Sequence, residues 1–91
     1  MLDLIWEPEA DDQLNAIADF ISLQNPAAAD RIVGLIHNGV ERVRRFPESG
    51  RPGRVPGTRE LIVHPNYIVI YRVTDAAIDV LRVLHARQRY P

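Results

Sequence analysis

A chain of 91 residues has room for one hydrophobic core, so residues 1–91 read as a single domain and multidomain arrangements are excluded. With no cysteine, a disulfide framework, a thiolate metal site and a thiol nucleophile are excluded too, and a reducing compartment, the cytoplasm, is the expected location. The net charge of −1 conceals a split, because residues 1–41 carry eight acids against Arg31 alone whereas residues 42–91 carry ten arginines against four acids. The basic half is expected to face something anionic: a nucleic acid, an acidic partner or the chain's own acidic half.

No run of the sequence approaches the length of a membrane span, and Met1-Leu-Asp-Leu-Ile-Trp-Glu has neither the basic nor the long apolar region of an export signal. No membrane partner is expected. All eleven basic residues are arginine, which suits forked contacts to carboxylate or phosphate, although a GC-rich genome explains the bias as well.

In chain order, Leu2, Leu4 and Trp6 alternate with Asp3 and Ile5, the pattern of a short strand that can join a sheet at an edge. Pro8 ends it and opens a helix predicted over Pro8–Leu23. Glu7, Glu9, Asp11 and Asp12 suit the positive end of that helix, and Ala10, Leu14, Ile17, Ala18 and Ile21 form its apolar stripe. Asn25-Pro26 repeats the start signal, a capping side chain before proline, and Phe46-Pro47 ends the second helix. Its stripe is Ala29, Ile32, Val33, Ile36, Val40 and Val43, with Gly39 placed to let another backbone approach. So short a connection folds the two helices into a hairpin that can roof a sheet. Residues 47–58, rich in proline and glycine, read as loop without helix or strand.

The remainder reads as a three-stranded antiparallel meander, split by turns at His64-Pro65-Asn66 and Thr74-Asp75-Ala76-Ala77. Closing the second hairpin on Thr74–Ala77 sets Val73 opposite Ile78, Arg72 opposite Asp79 as an ion pair, Tyr71 opposite Val80 and Ile70 opposite Leu81. Unbroken alternation then puts Ile68, Ile70, Leu81 and Val83 on one face, and Tyr67, Val69, Tyr71, Val73, Val80 and Arg82 on the other. Both faces are apolar, so the hairpin covers one and the second is an expected docking surface. The fold class is α+β, a two-layer sandwich of order β-α-α-β-β-β with the helical hairpin packed on an antiparallel sheet.

These elements resemble, over nearly the whole chain, the RelE/ParE superfamily of toxins from type II toxin–antitoxin systems. The resemblance rests on Pro8-Glu9-Ala10, on Asn25-Pro26-Ala27-Ala28-Ala29 and on Phe46-Pro47-Glu48-Ser49-Gly50-Arg51. It continues through Arg59-Glu60-Leu61, Tyr67-Ile68-Val69-Ile70-Tyr71-Arg72-Val73 and Leu81-Arg82-Val83-Leu84-His85-Ala86-Arg87-Gln88. It implies one of two functions on one fold, cleavage of messenger RNA on the ribosome in the RelE-like branch or inhibition of DNA gyrase by binding in the ParE-like branch.

A nuclease needs groups that orient the 2′-hydroxyl, stabilise charge on phosphate and protonate the leaving oxygen. By the resemblance, Arg87 falls on one nuclease arginine, with His85 and Tyr90 near places where a histidine or tyrosine could act. The other nuclease arginine falls on Val63 and is missing, and Val63-His64-Pro65-Asn66-Tyr67 looks like the ParE-like branch. The expected function is therefore a gyrase-binding toxin without catalytic residues or cofactor, associated with plasmid stabilisation. A cognate ParD-like antitoxin would neutralise it in a hetero-oligomer, and nucleic acid would be met only indirectly, through gyrase. The alternatives are a ribosome-dependent endoribonuclease using Arg87 with His85 or Tyr90 and the loop arginines Arg51, Arg54 and Arg59, and a non-toxic module whose basic face binds an acidic peptide.

Candidate partner-binding residues are Arg51, Arg54, Arg59, Arg82, Arg87 and Arg89, set mostly in the loop and at the terminus where core packing explains little. Against these stand ordinary readings: solvated charge for the arginines, a structurally satisfied His85, an exposed His64 in its turn, and sheet packing for Tyr67 and Tyr71. No histidine pair has metal-ligand spacing with a carboxylate at hand, so no metal is expected.

Overall fold

The computed structural model describes residues 2–90. Its elements run β1 (Asp3–Trp6), α1 (Pro8–Ser22), α2 (Pro26–Arg45), β2 (Arg51–Pro52), β3 (Arg59–His64), β4 (Tyr67–Val73) and β5 (Ala77–His85). The helices start where the prolines predict. Asn25 caps α2 by accepting a hydrogen bond from the Ala28 N–H at 3.1 Å, whereas Glu7, the cap of α1, makes no side-chain bond. The acids of the first turn of α1 still favour its positive end.

The sheet has five strands in the order β1-β5-β4-β3-β2. The meander β3-β4-β5 is antiparallel as expected, but β1 joins its edge in parallel, Asp3 beside Ala77 through Trp6 beside Val80. The sheet is thus mixed. The expectation of a strand-free loop over residues 47–58 is corrected: Arg51 and Pro52 pair with Glu60 and Arg59 as a two-residue strand. Long-range pairing overrides the local proline there, because an edge position asks for no second set of ladder bonds.

The hairpin Thr74–Ala77 closes in the predicted register, with Val73, Arg72 and Tyr71 opposite Ile78, Asp79 and Val80. Arg72 and Asp79 form no ion pair, however, although they face each other across the strands. Past Tyr71 the ladder shifts, and Ile70 lies opposite Arg82 instead of Leu81. One extra residue in β5 therefore reverses the facing of everything that follows it, as strand period 2 demands. Val83 joins the helix side with Val69, Tyr71 and Val80, not the face of Ile68 and Ile70 as uninterrupted alternation predicts.

The main core lies between helices and sheet, where Ala10, Leu14, Ile36, Val40 and Val43 meet Leu61, Val69, Tyr71, Ile78, Val80 and Val83. Gly39 has the role expected of it: a Cβ there would sit 2.6 Å from Val63 Cγ1, so only glycine lets α2 lie this close to β3. Where β1 stops, the Val83 N–H is satisfied by Gln13 Oε1 of α1 at 2.8 Å. That bond ties the first helix to the uncovered edge of β5.

The second face of the sheet holds a smaller cluster of Ile68, Ile70, Leu84 and Tyr90, with Leu81 against it. Its expected openness is corrected: Ile68, Ile70 and Leu84 are 6%, 3% and 2% exposed, because the chain covers them itself. After His85 the backbone turns, with Ala86 N–H donating to Asn66 C=O at 2.7 Å and Gln88 N–H to His85 C=O at 2.9 Å, and returns Tyr90 to that face. Ile62, 54% exposed, remains as the open apolar part.

Candidate functional site

The loop after α2 is held from inside. Tyr71, fully buried on β4, accepts the Gly50 N–H at 2.9 Å and donates to Pro47 C=O at 2.7 Å. Arg59 adds a bond from its guanidinium to Gly50 C=O at 2.7 Å. A side chain at Gly50 would meet the Tyr71 hydroxyl at 2.6 Å and the Glu60 carbonyl at 2.7 Å, so glycine is required. The loop then turns tightly, with Gly53 N–H bonded to Thr58 C=O at 2.8 Å and Gly57 at φ +84°, where a side chain is strained.

This frame places Arg51 and Arg54 on the second face. Arg51 Nε binds Glu60 Oε1 at 2.8 Å, the arginine side chain 61% exposed and the carboxylate 6%. Arg54 lies over the Tyr90 ring, 5.1 Å from its centroid, and its Nη1 reaches Tyr90 C=O at 3.4 Å. Arg51, Arg54, Glu60, Ile62, Gln88 and Tyr90 border one cavity of about 90 Å³. Tyr90 lines it, and its buried hydroxyl meets no hydrogen-bonding group among the described residues.

The six candidate arginines are therefore not equivalent. Arg51 and Arg54 come together at the cavity, Arg59 is spent on the loop, and Arg82 binds Glu9 of α1 at 2.9 Å across the sheet edge. Arg87 and Arg89 are exposed, and among the described residues their side chains make no hydrogen bond or ion pair. Among the described residues, Arg82–Glu9 is the one ion pair that links the basic meander to the acidic first helix, and Asp11, Asp12 and Asp19 face solvent. Arg44, at the end of α2, pairs with Glu41 one turn earlier at 3.2 Å.

The three residues proposed for a nuclease do not converge. His85 lies on the helix side of the sheet, edge-on to Tyr67 with centroids 5.5 Å apart, and its Nδ1 accepts the Arg87 N–H at 3.2 Å. Tyr90 packs on the opposite face. His64 is half-buried rather than exposed: it lies 5.9 Å from the Tyr67 ring and its Nδ1 accepts the Asn66 N–H at 3.0 Å. Val63 sits beneath α2 against Gly39. Among the described residues no three His, Asp or Glu side chains gather as metal ligands, and no helix is long and apolar enough to cross a membrane.

Sequence reasoning missed Glu60, because its pairing with Arg51 depends on β2, and it missed Tyr71 as the anchor of the loop. A buried tyrosine facing a segment with many backbone groups to satisfy was the available signal.

Comparison with known proteins agrees with this architecture. Residues 4–90 match the model of the family described as the ParE toxin of the type II toxin–antitoxin system parDE. The Sinorhizobium fredii protein Y4kP is 38% identical over 87 residues, 94% of this chain and 90% of that protein. Toxin RelE2 of Caulobacter vibrioides is 33% identical over 86 residues, 94% of this chain and 97% of that one. Among solved structures, a chain of the chromosomal ParDE TA system from P. aeruginosa is 30% identical with a TM-score of 0.81, covering 93% of this chain and 96% of that one. The YoeB dimer of Staphylococcus aureus shares the fold at 12% identity and a TM-score of 0.66, over 98% of each chain. This chain belongs to the ParE toxin family of type II toxin–antitoxin systems.

Proposed function

We propose that the protein is a toxin that inhibits DNA gyrase by binding it, in the cytoplasm, and that a ParD-like antitoxin neutralises it in a hetero-oligomer. The observation that carries this reading over RNA cleavage is the separation of His85 and Tyr90 onto opposite faces of the sheet. Lying apart, the two cannot serve one phosphate together, which leaves at most one of them as a general acid or base beside Arg87. Val63, half-buried under α2 where a nuclease arginine would stand, supports the same reading. The basic surface left by Arg51, Arg54, Arg87 and Arg89, none offset by the acidic helix, is the binding surface in this reading.

Incubation of the purified protein with gyrase and supercoilable plasmid, in parallel with ribosomes translating a defined message, tests it. Lost supercoiling or trapped cleavage complexes with intact message are expected. A second reading, cleavage on the ribosome, draws on the relative named RelE2 and on the exposed Arg87. Codon-positioned cuts that disappear in Arg87→Ala would establish it instead.

A further inference from the structure

We infer that the cavity between the loop and the C-terminal segment is a receptor for a single carboxylate, the side chain of a glutamate or aspartate in an acidic partner segment. Three observations converge on it. First, Tyr90 lines the cavity, is 7% exposed, and its hydroxyl has a proton to donate with no acceptor among the described residues. A buried donor without a partner favours any acceptor that enters. Second, Arg54 spends one contact on Tyr90 C=O and Arg51 one on Glu60, so each guanidinium, with five N–H donors, keeps others for an incoming oxygen.

Third, the charge is matched to one negative unit. Among the described residues, two guanidinium groups less the Glu60 carboxylate give the lining a surplus of one positive charge. A carboxylate balances it, whereas a phosphate monoester dianion would exceed it and would lie close to Glu60. The size agrees: a cavity of about 90 Å³ has room for a carboxylate and its methylene. Ile62, Pro65 and Ile68 supply an apolar wall for the stem, and the exposed part of Ile62 continues it outward for an apolar neighbour of the acid. A charge-assisted bond from both an arginine and a tyrosine selects an acid over its amide.

The inference rests on the reading that Arg51 and Arg54 belong to a partner-binding surface, but not on which protein is the partner. Its test uses the whole toxin and a short capped peptide with one glutamate between leucines, followed by amide NMR shifts. Saturable shifts are expected at Ala86, Gln88 and Tyr90, with affinity weakened about tenfold in Arg54→Gln and in Tyr90→Phe. The same peptide with glutamine in place of glutamate should bind at least about tenfold more weakly.

Equal binding of the glutamine peptide, unchanged affinity in Tyr90→Phe, or no shifts at these amides would each overturn the carboxylate assignment. Stronger competition by a short RNA or by inorganic phosphate would replace it with a phosphate site. Gyrase inhibition measured on the same samples separates the two conclusions: inhibition without peptide binding sinks only this inference, and peptide binding without inhibition sinks only the gyrase reading.

Discussion

The two faces of the sheet bury apolar side chains to similar depth, yet they are built differently. On the helix side, eleven buried residues from both helices and three strands interlock, and Gly39 shows how little clearance remains. On the other side, Ile68, Ile70 and Leu84 lie beneath Tyr90 of a short C-terminal segment held by a few backbone bonds, with arginines and a cavity at the margin. Stability is concentrated in the first face. The second keeps polar groups that packing does not require, and those are the groups available for recognition.

That contrast can be broken by substitution. Ile36→Ala, at a position without exposed surface in the helix-side core, should cost about 2–5 kcal/mol, read as a lowered urea midpoint. Leu84→Ala on the second face should stay near the lower end, about 2 kcal/mol, because the C-terminal segment can settle into the space. Equal losses would mean that the two faces are equally rigid. Gly39→Ala tests clearance rather than volume: its methyl group meets the stiff, β-branched Val63, and a loss of about 1–3 kcal/mol is expected.

Tyr71→Phe removes the bonds to Gly50 N–H and Pro47 C=O and should cost about 1–3 kcal/mol, with the loss of order at residues 47–54 visible in hydrogen exchange. Arg82→Ala gives the smallest effect. Its ion pair with Glu9 is 38% and 58% exposed, so at most about 1 kcal/mol is lost, and added salt should erase the difference.

Much of this was legible in local sequence, for identifiable reasons. Pro8, Asn25-Pro26 and Phe46-Pro47 mark helix ends through backbone chemistry that acts within a few residues, and the structure starts and stops its helices there. The apolar stripe of α2, with Gly39 as its point of close approach, was legible because helical periodicity reports which side is buried. The extra residue in β5 was not. Leu81, Arg82 and Val83 are all ordinary strand residues, and no glycine or proline marks the shift, which only the partner strand reveals.

The candidate site was half legible for the same reason. A concentration of arginine could be counted, but which arginines are spent inside the molecule depends on contacts between distant segments. Arg59 reaching Gly50, Arg82 reaching Glu9 and Arg51 reaching Glu60 each required the fold to be known. Tyr90, which the resemblance placed only near a possible nuclease position, proves to be buried because the chain turns back after His85.

The clamp that Tyr71 places on the loop bears on genetics. Arg51 directly follows Gly50, whose N–H the Tyr71 hydroxyl receives, so the bearing of the cavity is set from beneath the sheet. Cells selected to survive expression of the toxin should therefore carry changes at Gly50 and Tyr71 as well as at Arg54. The first two positions have almost no surface to offer any target, and their recovery would report a site misaligned from within rather than a contact removed.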